Sequence, residues 1–432
     1  MKANPKIFEL IQALWVHISP RRRKQFLLVL FLMLLTSFAE ILTIGAVLPF
    51  LQVLTFPEKV FLLNWFQPFI SFFNIQSPSE LLLPLTILFI TAAVLAGMMR
   101  LLLLWASTRL TFAAGSDLSI SIYRRTLYQP YSVHVSRNSS EIISGISSKV
   151  SNVIGMINNI LIIISSFVIA LLILLALLLI NPLIAISAFG GFGFLYFSII
   201  KINSKKVLLD SERIARESTN VVKILQEGLG GVRDVLIDGT QEVYCQVYKN
   251  ADLTLRKAQG NNVFISGSPR YCMESIGIVL IALLAYALVN QANGLSNAIP
   301  TLGALALGSQ RLLPTLQQAY AAWSNIKGYQ ISLQDTIELL NQPLPKFIGD
   351  SNSKPIKFER NIQLKDVGFS YLSQNPQILK SINLSIDKGA RVGFIGSTGS
   401  GKSTLLDIVM GLLIPISVLM LLNEATIMDL GS

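Results

Sequence analysis

The sequence predicts an α-helical membrane protein with six spanning helices and long cytoplasmic helical extensions, followed by a partial α/β domain. Three observations carry this expectation. The 432 residues are 52 % hydrophobic and only 14 % charged, whereas a soluble domain carries about 25 % charged residues. Six apolar runs reach or exceed, within a residue, the roughly 20 residues that a spanning helix needs. Near the C-terminus an apolar run enters a glycine-rich loop and then a second helical pattern.

The six runs lie at 26–54, 81–105, 153–180, 183–203, 273–291 and 297–324. Only Asn181-Pro182 joins the third to the fourth, which makes them a tight hairpin. Before the first run, Phe8, Ile11, Leu14, Trp15 and Ile18 recur at helical spacing, the pattern of a short interfacial amphipathic helix. No small-residue cleavage site follows the first run, so it reads as a span rather than a cleaved signal.

Lysine and arginine set the orientation. Arg21, Arg22, Arg23 and Lys24 precede the first span. Arg109, Arg124, Arg125, Arg137 and Lys149 follow the second, and Lys205, Lys206, Arg213, Arg216, Lys223, Arg233, Arg256 and Lys257 follow the fourth. The alternate loops hold only Lys59, which places both termini and the two long loops in the cytoplasm. This distribution also explains the net charge of +11 without a nucleic-acid partner. The long loops, 106–152 and 204–272, keep a helical pattern. The spanning helices are therefore expected to continue outside the membrane and turn at Gln129-Pro130-Tyr131 and around Gly228 to Gly231. Cys245, Cys272, His17 and His134 give neither a disulfide framework nor a metal cluster, so reduced thiols and no structural metal are expected.

At about residue 341 the composition changes. The transmembrane domain is assigned to 1–340 and a linker to 341–360. In the partial domain at 361–415, Ile362, Leu364 and Val367, then Ile382, Leu384 and Ile386, follow strand patterns, and Arg391 to Ile395 reads as a buried strand. Next come Gly396, Ser397, Thr398, Gly399, Ser400, Gly401, Lys402, Ser403 and Thr404, the phosphate-binding P-loop pattern, and the helical run Leu405 to Leu413. The glycines let backbone N–H groups face phosphate oxygens, reinforced by the helix dipole. Lys402 would reach the β and γ phosphates of ATP, and Ser403 would offer its hydroxyl to Mg²⁺.

From Ile362 to Leu413 the chain resembles the opening of an ATP-binding cassette domain, and the six spans ahead of it resemble that family's exporter half-transporters. The resemblance implies a homodimer in the plasma (inner) membrane that uses ATP and Mg²⁺. It implies that Tyr371, in Gly368-Phe369-Ser370-Tyr371, stacks on adenine, and that the turns from Gln129 to Gly145 and from Gln226 to Asp234 are coupling helices. The family continues after the P-loop helix with a glutamine loop, a signature sequence, Walker B carboxylates and a switch histidine. The resemblance shows none of these here, and 416–432 is set apart as an aberrant tail, as from a frame shift or truncation. No catalytic residue is assigned.

Ionisable residues at membrane depth are functional candidates. Glu40 lies about 16 residues, roughly 24 Å, beyond the basic cluster, and Arg311 lies well inside the sixth span near Gln317 and Gln318. Both are candidates for substrate contact, Arg311 in a cavity for an anionic headgroup, with a structural ion pair as the alternative. Arg100 is expected to snorkel to the interface. Ile44 to Phe50, with Pro269-Arg270-Tyr271 and Glu274, resembles flippases of lipid-linked oligosaccharides more than multidrug exporters. The expected cargo is a lipid-linked glycan or other amphiphile.

Overall fold

The computed structural model describes residues 6–55, 57–62, 67–73, 75–180, 182–289, 312–344, 358–371, 376–415, 417–422 and 425–429. They group into two compact units, one made of Met1–Ile122 with Ile143–Leu340 and the other of Tyr123–Ile142 with Asn341–Ser432.

The first unit is helical. α1 (Ile7–His17) precedes α2 (Pro20–Thr55), the short α3 (Pro57–Phe61) and α4 (Gln67–Phe72), and α5 (Leu82–Leu127). Beyond the short α6 (Tyr131–Ser136) and α7 (Ser139–Ser144), a π-turn at Gly145–Lys149 opens α8 (Val150–Ile180). α9 (Pro182–Gly230), α10 (Val232–Ile237), α11 (Gln241–Val289), α12 (312–328) and α13 (Gln330–Leu340) follow. Among the described residues, three helices are long and apolar enough to cross a membrane: Pro20–Thr43, Leu82–Leu127 and Ser139–Leu175. Much of the sixth run, including Arg311, lies outside the described residues.

Side chains on these helices sort as a bilayer requires. Leu27, Phe31, Leu83, Leu101, Leu104 and Trp105 are exposed, an arrangement natural to a hydrocarbon solvent. Hydroxyls inside apolar stretches bond back to their own helix. Thr36 Oγ1 donates to Leu32 O at 2.8 Å, Ser37 Oγ to Met33 O at 2.8 Å and Thr111 Oγ1 to Ser107 O at 2.8 Å. In lipid a polar group must find its partner within the protein.

The long loops are helical. α5 runs to Leu127 before the chain turns at 128–130, and α9 runs to Gly230 before the α10 turn. α1 buries Leu10 and Leu14 in a cluster with Phe26, Met33, Leu118, Val153 and Leu333, so it packs as protein core on one face and leaves Phe8 and Val16 exposed on the other. The foot of α8 is tied to α13 by the half-buried Lys149–Asp335 pair at 2.7 Å and by Asn152 Nδ2 donating to Ser332 Oγ at 3.0 Å.

In the second unit, β1 (Asn361–Phe369) and β2 (Leu379–Asp387) pair antiparallel, Ile362 opposite Ile386 and Leu364 opposite Leu384. β3 (Ser417–Leu422) pairs antiparallel with the other edge of β1, and β4 (Ala425–Asp429) with β3, giving the order β2-β1-β3-β4. The strand expected at Arg391–Ile395 is not formed. That segment runs irregular and exposed, Ile395 at 100 %, and only Phe394 packs against the small core. The reason is spatial: β2 and β3 occupy both edges of β1, and the helix α14 (Lys402–Val409) offers a single cover where a buried parallel strand needs two. The expected run Leu405 to Leu413 is helical only to Val409, because Gly411, at φ +75°, ends the helix.

Candidate functional site

The P-loop stands between the exposed 391–395 segment and α14, whose Leu405 and Ile408 are buried against Leu364, Val367, Phe369 and Leu379. That apolar footing fixes the helix start. Gly399 and Gly401 have φ of +85° and +86°, a region that side chains disfavour. A Cβ on Gly401 would lie 2.8 Å from Leu379 Cδ2, and one on Gly396 would lie 2.8 Å from Ser400 Oγ. Glycine is thus required both by conformation and by space.

Lys402 Nζ donates to Gly396 O at 2.8 Å, Ser397 O at 2.7 Å and Ser400 Oγ at 3.4 Å, so the loop closes around an ammonium. Ser397, Thr398 and Ser403 are exposed on it. A curled backbone at a helix start with a lysine at its centre fits a polyphosphate. Tyr371 joins this group. Its hydroxyl lies 3.3 Å from Thr404 Oγ1, and its ring stands edge-on to Phe369 at 5.0 Å, leaving the side chain partly open to solvent. The residues predicted to hold the nucleotide are therefore assembled around one helix start. Among the described residues no group of three or more His, Cys, Asp or Glu side chains could hold a metal. In the same unit, Arg125 Nη1 donates to Gln342 O at 2.6 Å and Gln129 Nε2 to Pro343 O at 2.8 Å, which fastens the first turn to the start of the linker.

The second candidate lies within the helical unit. α2 and α5 run antiparallel, and polar groups mark their register. The Arg22 guanidinium donates to Asp117 at 2.8 Å. Thr36 Oγ1 approaches Met99 O at 3.5 Å, and Thr43 Oγ1 approaches Ala92 O at 3.3 Å. Between these points the buried Glu40 forms an ion pair with Arg100. Arg100 is thus paired with Glu40, while its side chain stays 41 % exposed. The pair lines a cavity of about 330 Å³ with Thr36, Ser107, Asn158, Thr315 and Gln318. Arg311 lies outside the described residues. Matching depths along two antiparallel helices would have revealed this pairing, but α5 continues unbroken past the membrane and its sequence does not mark where the bilayer ends.

Comparison with known proteins agrees with both halves. Residues 42–299 match the ABC transporter transmembrane region, and residues 379–429 match the ABC transporter ATP-binding family. The second match runs on through 416–429. There β3 ends directly before Asn423-Glu424. The alpha-hemolysin translocation ATP-binding protein HlyB of Escherichia coli is 36 % identical over 109 residues, 25 % of this chain and 15 % of that protein. The ATP-dependent lipid A-core flippase of Thiobacillus denitrificans is 21 % identical over 211 residues, 49 % of this chain and 36 % of that protein. This chain thus spans well under half the length of these relatives. The structure of a bacterial Atm1-family ABC exporter with ATP bound shares the fold, with a TM-score of 0.66 at 15 % identity over 94 % of this chain and 68 % of that one. With more than half of its residues in the transmembrane match and its P-loop in the ATP-binding match, this membrane-spanning chain belongs to the ABC transporter family.

Proposed function

We propose that the chain is one half of an ATP-driven exporter or flippase that moves a lipid-linked glycan or similar amphiphile across the plasma (inner) membrane as a homodimer. The observation that carries this reading is the presence, in one chain, of a glycine cradle suited to polyphosphate and a cavity in the apolar bundle that holds an ion pair with hydroxyl and amide groups beside it. ATP would lie with its phosphates around Lys402 and its adenine on Tyr371. Ser403 would take one position on a Mg²⁺ otherwise held by phosphate oxygens and water. The name of the lipid A-core flippase supports an amphiphilic cargo.

A second reading, a transporter chain that binds nucleotide without turning it over, is favoured by the short stretch 410–416, the only residues between α14 and β3. That stretch is too brief for a signature segment. The two readings separate in proteoliposomes carrying a fluorescent lipid-linked glycan. The 432 residues alone should move none, whereas the same helices joined to a complete ATP-binding domain of a relative should flip it with ATP. Loss of flipping when the P-loop lysine of the joined domain is replaced by alanine is expected, and failure of the joined protein to move any amphiphile would overturn the transport reading.

Orientation belongs to the same proposal. Single-cysteine labelling should find positions 57–79 and 291–296 outside, and 130–145 and 225–245 inside, as the lysine and arginine distribution requires. Cys245 is exposed and serves as a native reporter for the inner set. Labelling of both sets from one side would defeat the six-span topology.

A further inference from the structure

A second cavity of about 250 Å³ lies where α9, α11 and α12 meet, next to the one that holds Glu40 and Arg100. The two share Pro314 and Gln318. Its walls include Tyr196, Arg270, Gln317 and Tyr320. Two groups on it are unsatisfied. The Tyr196 hydroxyl, on a side chain only 8 % exposed, has no hydrogen-bond partner among the described residues, and neither has the buried Gln317 Nε2. A buried donor left unpaired costs as much as a lost hydrogen bond, so two such groups on one cavity call for a ligand to complete them.

The chemistry of that ligand follows from what surrounds the pair. Arg270 is already matched to Glu274 at 2.9 Å, and Arg100 to Glu40, so these arginines bring no unbalanced charge to either cavity. What the second cavity offers is hydrogen bonding: a phenol that both donates and accepts, and an amide that donates. Beside these lie flat apolar surfaces. The Tyr320 ring is 5.7 Å from Tyr196, and Trp323 is 6.0 Å beyond it. A ring bearing several hydroxyls meets both demands, because its oxygens satisfy Tyr196 and Gln317 while its faces lie against the aromatic rings.

We infer that Tyr196 and Gln317 recognise the neutral, polyhydroxylated headgroup of an amphiphile, a sugar ring being the simplest case. This rests on the amphiphile reading above and names its headgroup class.

The test uses the full chain in phosphatidylcholine nanodiscs, titrated with decyl maltoside or with decyl sulfate below micelle formation. Trp323 fluorescence is isolated by subtracting a Trp323→Phe control. Decyl maltoside should give a saturable change, with the apparent Kd raised at least tenfold by Tyr196→Phe and by the near-isosteric Gln317→Glu. The melting temperature of Tyr196→Phe should stay at the parent value, since the removed hydroxyl had no partner to lose. If Tyr196→Phe fails to fold, Gln317→Glu alone decides. Binding equal to the parent chain in the variants, a stronger response to decyl sulfate, or no saturable response to either amphiphile would each overturn the inference. The transport reading falls only if the joined protein moves no amphiphile.

Discussion

Purified, these 432 residues should bind ATP weakly and release no phosphate from it, even with Mg²⁺ present. The cradle around Lys402 supplies contacts to phosphate oxygens, but turnover also needs groups that orient the attacking water and hold the metal from the other side. Glu424 is a carboxylate within the stretch that matches the family, and on its own it does not complete that set. In the family resemblance each nucleotide is closed by a signature segment of the opposite subunit, and residues 410–416 leave no room for one between α14 and β3. The loop also lacks the buried strand that would stiffen it, since Arg391–Ile395 runs exposed. Isothermal titration with ATP should give at most a weak signal, which Lys402→Ala removes. Steady phosphate release that both Lys402→Ala and Glu424→Gln abolish would overturn the prediction. Submicromolar binding would show that the loop is held more rigidly than its open flank implies.

The second large effect is expected at Glu40 and Arg100. Arg100→Leu removes the cationic partner of a carboxylate on a residue 8 % exposed, and removing one member of a buried pair is far more damaging than replacing both. Because the Arg100 side chain is itself 41 % exposed, the expected loss is discounted to about 2–3 kcal/mol. The double variant Glu40→Gln with Arg100→Gln should recover most of it, because the two amides leave no charge behind. Thermal denaturation in detergent of the parent, both single variants and the double closes a mutant cycle. Strict additivity would show that the pair contributes nothing to the bundle. The same cycle read by amphiphile binding separates a structural pair from a substrate contact.

Much of the architecture follows from elementary properties of the chain. Apolar runs of membrane length fix where helices cross, and backbone groups in lipid can be satisfied only within such helices. Lysine and arginine fix the expected orientation, and the alternation at Ile362–Val367 and Ile382–Ile386 fixes β1 and β2. The P-loop was legible as well, because its glycines, lysine and hydroxyls act through local backbone geometry over a few adjacent residues. The remainder depended on contacts between distant segments. Whether Arg391–Ile395 became a strand depended on which neighbours took the edges of β1, and β3, from more than 20 residues further on, took one of them. Arg100 met Glu40 because the α2–α5 register brought them to one level, and no local pattern encodes a register between helices with α3 and α4 between them. Tyr196 reads locally as an ordinary spanning-helix residue, and Gln317 only as a polar group near Arg311. Only the meeting of α9, α11 and α12 encloses them in one cavity and leaves their polar groups unpaired.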